Sequence, residues 1–310
     1  CMAAFLPFFM GGKNFVWGAG VEDGLSQHFS ALAYYGELLR EFVKNLIAGH
    51  PKLMMWNMSL GYGADVIATL NYYAIGDPLN LLYGFVPVKY TEIMYNFMIL
   101  FRMYLAGIAF ILYARKMKKR TYGTVIGALV YVFCGFCFRL GLRHPFFLNP
   151  MIYFPLLCLG IEKIYQKQRP YLFIVMIYVS AISNYYFFYM LTIFSVIYAW
   201  IRFYKYTEKD RIKNFFLTIL KFGGYYILGI CMAAVILIPS VIGFLGNGRY
   251  GSGTDWKALI VYPGKYYLMF LENFVGYGNV GSNTNTGYLP IAGIVVLFLS
   301  LIHISEPTRR

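Results

Sequence analysis

The sequence predicts an all-α polytopic membrane protein, and three observations carry that prediction. Charged residues make up only 13% of the chain, about half of the ~25% usual in a soluble domain. The shortage is concentrated: residues 121–138, 171–201 and 222–245 contain no Asp, Glu, Lys or Arg, and a span needs about 20 mainly apolar residues. Thirteen of the 27 basic residues sit in three short loops, Arg115–Arg120, Lys163–Arg169 and Arg202–Lys213. That is the positive-inside pattern. It accounts for the net charge of +14 and excludes nucleic acid as the partner; the partner it implies is a lipid bilayer.

The basic loops order the spans. Each is expected on the cytoplasmic side. Residues 1–10 then read as the last turns of a span running outward, and residues 11–90 form a large first extracytoplasmic loop. Residues 91–114 return, interrupted by Asn96 and Arg102. Residues 121–138 go out, 146–162 come back and 214–245 go out again. A later extracytoplasmic loop covers 246–286, and a further span begins near Tyr288. The uncharged run 171–201 would reach ~46 Å as one helix, against a hydrocarbon core of ~30 Å. Both its flanks are basic, so both ends belong on one side. The run is therefore a hairpin, turning outside at Ser183-Asn184-Tyr185-Tyr186, with arms short enough to be tilted or shielded by protein.

The first loop carries structure of its own. Leu25, Phe29, Leu32, Leu39, Val43 and Leu46 fall at spacings of three, four or seven, with Glu37, Arg40, Glu41 and Lys44 mostly off that stripe. This predicts an amphipathic helix over 24–47, expected to lie on the membrane surface. Residues 64–74 suggest a second short helix. Gly76-Asp77-Pro78 starts another, with Asp77 as N-cap and Pro78 at the first helical position.

The ends are expected to be artificial. Position 1 is Cys, and Leu299-Ser-Leu-Ile-His-Ile-Ser-Glu-Pro-Thr-Arg309 resembles a translated sequencing adapter. Residues 1–298 are therefore read as one domain incomplete at both ends, and 299–310 as an artefact. Five cysteines give no disulfide framework. The Cys134-x-x-Cys137 pair falls within a span, where small apolar packing residues are the commoner reading.

No Walker loop, GxSxG, HExxH or dinucleotide fingerprint is present, and most acidic residues fall outside. An enzyme on that face lacks ATP and nucleotide sugars, so an activated substrate there is carried by lipid. Asp23 leads the candidates: a carboxylate held at the membrane surface can take a proton from an acceptor hydroxyl, although Asp is also a favoured N-cap. His28 follows one turn later on the same helical face. Arg139, Arg143 and His144 form an outer turn that suits a lipid phosphate, since Arg pairs with phosphate through charge-assisted bonds; snorkelling to headgroups is the alternative. Arg102, deep in a span, calls for a partner or a substrate. Lys265 and the aromatic and amide residues of 246–286 suit either a sugar-facing surface or an interfacial belt.

Several strings stand in a characteristic order: Asp23-Gly-Leu-Ser-Gln-His28, Gly61-Tyr-Gly-Ala-Asp65, Tyr72-Tyr73, Gly76-Asp-Pro-Leu-Asn80, Tyr104-Leu-Ala-Gly107, Arg143-His-Pro-Phe-Phe-Leu-Asn149, Pro155-Leu-Leu and Ile182-Ser-Asn-Tyr-Tyr-Phe-Phe-Tyr189. Together they resemble the bacterial YfhO-type membrane protein family, a branch of the GT-C superfamily of glycosyltransferases. The resemblance implies a GT-C-like helix bundle in the bacterial cytoplasmic membrane, with its active face extracytoplasmic. It implies transfer of a sugar from a polyprenyl-phosphate carrier to a cell-envelope acceptor such as a teichoic acid, with inversion at the anomeric carbon. Asp23 occupies the position of the family's acidic residue. His28, Asp65 and Asp77 are candidate supports; Arg139, Arg143, His144 and Arg102 are candidates for the donor phosphate; Asn184, Tyr185 and Lys265 are candidates for acceptor or sugar. No cofactor is demanded, though Asp23 with Asp65 or Asp77 leaves room for a divalent metal. A transporter or flippase of lipid-linked sugars is the rival reading, and a non-catalytic partner in an envelope complex is another.

Overall fold

Almost every described residue that has regular structure is helical. The computed structural model describes residues 2–16, 23–207 and 211–245. The helices of the bundle are α1 (Met2–Met10), α4 (Thr91–Lys116), α5 (Thr121–Val132), α6 (Asn149–Tyr165), α7 (Tyr171–Ser183), α8 (Tyr185–Tyr206) and α9 (Arg211–Leu245). Four stretches are long and apolar enough to cross a membrane: Val88–Lys116, Pro145–Tyr165, Tyr185–Tyr206 and Arg211–Gly243. The all-α polytopic expectation therefore holds. The first loop folds into α2 (Ser30–Ile47), α3 (Val66–Leu70), a 3-10 segment at Pro78–Phe85 and one small antiparallel ladder, β1 (Trp56–Asn57) with β2 (Ala64–Asp65). That ladder was not foreseen.

The run 171–201 breaks where the flanking charges require. Asn184 leaves the helical region (φ −167°, ψ 116°), and its side chain accepts hydrogen bonds from the backbone N–H groups of Tyr186 and Phe187. It thus ends α7 and caps α8 in one residue. Small residues then let the arms close on their neighbours. A Cβ on Gly160 would meet the Phe173 backbone at 2.9 Å, and one on Gly229 would meet Ile177 at 2.6 Å. These contacts seat α7 between α6 and α9.

The three basic loops meet at one end of the bundle. Lys116 Nζ donates to Gln168 Oε1 at 3.2 Å. Beside it, buried Glu162 accepts from Arg202 through both carboxylate oxygens, from Tyr198 OH at 2.7 Å and from Tyr206 OH at 2.8 Å. This knot ties α6 to α8. The first loop, the turns at 137–148 and Asn184 gather at the opposite end, where Gly243 of α9 also reaches Ala68 of α3.

At that opposite end α7 stops short. Its 13 residues give a length of ~20 Å, below the ~30 Å of hydrocarbon. The first loop closes over its end. Asn71 Nδ2 donates to Ile182 O at 3.1 Å, and Asn184 Nδ2 donates to Tyr72 O at 3.1 Å. Gly76 sits at φ +89°, and a Cβ there would lie 1.9 Å from Ile182 O. Irregular backbone at such depth survives only where protein covers it, and these contacts are the cover.

A buried ion pair fixes the loop to the bundle. Asp77 caps the 3-10 segment as expected, Oδ1 accepting from Leu79 N at 2.9 Å. Its Oδ2 accepts from Arg102 Nη2 at 2.7 Å and from Asn149 Nδ2 at 2.7 Å. Arg102 also donates to Asn149 Oδ1 at 2.9 Å and to Asn80 Oδ1 at 2.6 Å. Arg102 is 1% exposed and Asp77 3%, so no bulk water screens the pair. Further along, Arg40 of α2 donates to the carbonyls of Tyr83 and Val86. The middle of α2 buries Leu32, Tyr35 and Gly36, while Val43, Leu46 and Ile47 stay exposed. The amphipathic stripe is thus divided: its middle packs on protein and its last turns remain open.

Two tests follow from this clamp. Replacing Asp77 by Ala should cost about 3–5 kcal/mol by stranding the buried guanidinium. The joint change Asp77→Leu with Arg102→Met should recover much of that, read by reversible unfolding in detergent. Gly76→Ala should lower the melting temperature and release the loop from α7, seen as faster amide exchange at Asn71 and Tyr72.

Candidate functional site

Two π-helical turns bring the candidate residues together. One, Gly24–Phe29, leads into α2; the other, Cys137–Gly141, precedes the turn that starts α6. A π turn adds a residue to the ladder and re-aims side chains, which is why such turns are frequent at functional sites.

Asp23 stands at the head of the first π turn. Its backbone is itself helical (φ −60°, ψ −26°) and its carboxylate makes no capping bond. The N-cap explanation for this aspartate is therefore not met. Instead Gln27 Nε2 donates to Asp23 Oδ1 at 2.8 Å, and Tyr73 OH donates to Gln27 Oε1 at 2.8 Å. The glutamine amide thus transmits the orientation of a phenol to the carboxylate.

His28 is buried on the same turn. Its Nε2 lies 2.6 Å from His144 Nδ1, and the two rings meet edge to face at 4.8 Å and 87°. Phe146 packs at 5.2 Å from the His28 ring, and Phe147 stacks on His144 at 4.7 Å. One of the two facing nitrogens must carry the proton. His28 Nδ1 is buried without a hydrogen-bond partner among the described residues. A lone pair left there costs less than an unsatisfied N–H, so His28 is assigned as the donor from Nε2 and His144 accepts at Nδ1. Burial, then His144 and then the charge of Arg143 push the His28 pKa down to about 3, so it is neutral at physiological pH.

An aromatic wall adjoins both groups. The Tyr72 ring lies 5.1 Å from Tyr73, 5.1 Å from Phe146 and 6.4 Å from Tyr185. Its phenol is pushed up to about 12 by burial, then by Tyr73, Tyr185, Tyr186 and Asp23. Asp23, His28, Arg143, His144 and Tyr185 therefore share one neighbourhood, with Asn184 holding the Tyr72 carbonyl at its edge.

The remaining candidates separate from it. Asp65 caps α3, accepting from Ala68 N at 2.7 Å. Arg102 and Asp77 occupy one another in the buried clamp, so Arg102 does not present its charge to a lipid phosphate and Asp77 does not join Asp23. The reason is physical: an intramembrane guanidinium requires a counter-ion, and the first loop supplies it. Asp65 and Asp77 are each engaged by hydrogen bonds of their own. Among the described residues no three His, Cys, Asp or Glu side chains could hold a metal ion. Lys265 and the 246–286 loop lie outside the described residues, as does the Arg139 side chain. Cys137 is buried and its thiol contacts Met151 Sδ at 3.2 Å, in keeping with a packing role.

Comparison with known proteins now decides the family. The family model described as bacterial membrane protein YfhO matches residues 1–307. The chain belongs to the YfhO family. A relative from Bacillus subtilis (strain 168), described as uncharacterized protein YfhO, is 27% identical over 277 residues, covering 81% of this chain and 31% of the relative. The chain thus spans about a third of the length of that relative. No solved structure matches. Membership of this family establishes a bacterial membrane protein and leaves the chemistry to be argued from the site.

Sequence reasoning missed Gln27, Tyr73 and Phe146 as parts of the site. The adjacent tyrosines carried no periodic signal, and nothing in a glutamine four residues from an aspartate marks it as a bridge. The cues were their presence in the strings quoted above and, for Gln27, the i, i+4 spacing from Asp23, which places the two on one helical face.

The depressed His28 pKa makes a pH prediction. The folded state takes up its proton only near pH 3, the unfolded state near 6.5. Between those values the unfolded state binds more protons, so stability falls as pH falls, by up to about 1.4 kcal/mol per pH unit. Unfolding midpoints measured from pH 7 to pH 4 should show this slope, and His28→Phe should flatten it.

Proposed function

We propose that this chain belongs to a membrane glycosyltransferase that moves a sugar from a polyprenyl-phosphate carrier to an envelope polymer such as a teichoic acid. The observation that supports the reading is that the π turn headed by Asp23 meets the Arg143–His144 turn through His28, at the end of the bundle opposite the basic loops. Residues 120 positions apart place a carboxylate and a cationic, imidazole-bearing turn around one aromatic wall. By the positive-inside argument that end faces outward in the bacterial cytoplasmic membrane, where only lipid-carried activated sugars are at hand.

The residues divide the reaction between them. The lipid-linked sugar enters from the outer leaflet, its phosphate against Arg143 and His144. Asp23, oriented by Gln27, accepts the proton of the acceptor hydroxyl as that oxygen bonds to the anomeric carbon. The bond from that carbon to the phosphate oxygen breaks and the electron pair leaves with the phosphate. Arg143 stabilises the growing negative charge electrostatically, and the configuration inverts. His28, neutral and donating to His144 Nδ1, fixes the His144 tautomer with its other nitrogen protonated. Tyr72 and Tyr185 offer ring faces to a pyranose.

The test uses the full-length protein in proteoliposomes with a synthetic polyprenyl-phosphate sugar. Asp23→Asn should lower transfer by roughly 10²–10⁴-fold with expression and melting temperature unchanged. Gln27→Ala should lower it less, by misorienting a carboxylate that is still present. Undiminished transfer in Asp23→Asn overturns the reading. Movement of the intact sugar lipid across the bilayer, without cleavage, would favour the transporter reading instead.

A further inference from the structure

The basic end of the bundle holds two cavities that meet along a shared wall. One, of about 570 Å³, has Lys167, Tyr206, Thr207, Asn214 and Lys221 among its lining residues. The other, of about 500 Å³, runs between α8 and α9 over α6 and is almost entirely apolar, with Phe173, Val196, Trp200 and Phe215 in its walls. Tyr165, Thr218 and Phe222 belong to both. A half-polar chamber therefore stands directly against an apolar groove.

The two lysines mark the border between charged and uncharged sequence. Lys221 is the last charge before the uncharged run 222–245 of α9. Lys167 closes α6, its N–H bonding Ile164 O at 3.0 Å, while Gln168 N bonds Lys163 O at 2.8 Å. Lys167 holds φ at 58°, a conformation in which a helix end ordinarily places glycine. A cation is kept at a position whose backbone favours a residue without a side chain. Among the described residues no carboxylate pairs with either lysine; the described ion pairs are Arg102–Asp77 and Arg202–Glu162.

We propose that the joined cavities bind one anionic phospholipid from the leaflet at the basic end, its phosphate held by Lys167 and Lys221 and one acyl chain lying in the groove. The groove opens between spans, so hydrocarbon or protein must fill it. The chamber at its mouth supplies what distinguishes an anionic lipid from bulk: two cations beside hydroxyl and amide groups. Basic pockets between spans are established binding places for acidic headgroups. This site lies at the opposite end from Asp23 and does not rest on the transfer reading.

Trp200 is a built-in reporter. The full-length protein, with Trp17, Trp56 and Trp256 and any tryptophan outside this chain changed to Phe, is placed in phosphatidylcholine nanodiscs. They contain small fractions of either dibrominated phosphatidylglycerol or dibrominated phosphatidylcholine. Trp200 fluorescence should be quenched at a concentration of brominated phosphatidylglycerol on the order of ten-fold lower than of brominated phosphatidylcholine. Lys167→Gln with Lys221→Gln should abolish that preference. Lys118→Gln with Lys119→Gln, removing equal charge elsewhere at the same end, should leave it. Equal quenching by both lipids overturns the proposal, because the groove then holds only bulk lipid. Absence of quenching by either also overturns it, because protein then covers the groove. Equal loss in the control variant does so too, because surface potential alone would then explain the preference.

Discussion

The Arg102–Asp77 pair is the interaction on which the architecture at the first-loop end depends. A guanidinium placed deep in a span is untenable without a counter-charge, and the counter-charge comes from a loop eighty residues long rather than from another helix. That choice buries the segment around Asp77 against the helices. Asn80 and Asn149 add hydrogen bonds to the pair, so α4, α6 and the 3-10 segment are tied at one point. Once residues 76–80 are fixed there, Asn71 and Tyr72 are brought onto the end of α7. Tyr73 is brought in turn within reach of Gln27. The position of Asp23 is in this sense a remote consequence of a buried charge.

Much of the membrane architecture was legible in the sequence because it rests on local and additive quantities. The uncharged runs and the basic loops anticipated the four long spans and the grouping of the loops at one end, whereas the run 121–138 is helical only to Val132 before it breaks. The 171–201 hairpin followed from its length and its two basic flanks, and Asn184 breaks the helix there. Asp77 with Pro78 announced a cap, and the cap is present. What stayed hidden depends on pairing across distance. Arg102 called for a partner, but Asp77 looked like an N-cap, and nothing local tells that one carboxylate does both jobs through its two oxygens. Asp65 likewise looked available for chemistry and is spent on capping α3. The β1–β2 ladder is too short for a period-two pattern to register.

The candidate site was legible in its charged and imidazole members and not in its neutral ones. Asp23, His28, Arg143 and His144 stand out because each is costly or rare at such a boundary. Gln27 and Tyr73, which aim the carboxylate, are ordinary residues for a helix and a loop. Even His28 changes meaning once its partner is known. As an isolated histidine on an apolar face it reads as packing; facing His144 in an aromatic enclosure it is a neutral donor that sets a tautomer. The residues that set geometry here are less conspicuous than those that carry charge.

The shortness of α7 has a consequence for the membrane itself. A helix some ten ångströms shorter than the hydrocarbon core, roofed by polar loop, presents a mismatch to the surrounding lipid. Lipid meets such a boundary by thinning, at a cost of fractions of a kcal/mol per Å. Bilayer thickness thus becomes a variable acting on this protein: thin membranes accommodate the recess, thick ones press on the loop that fills it. The polar roof over α7 thus stands in for lipid at that depth, and the same contacts seat Tyr72 in the aromatic wall.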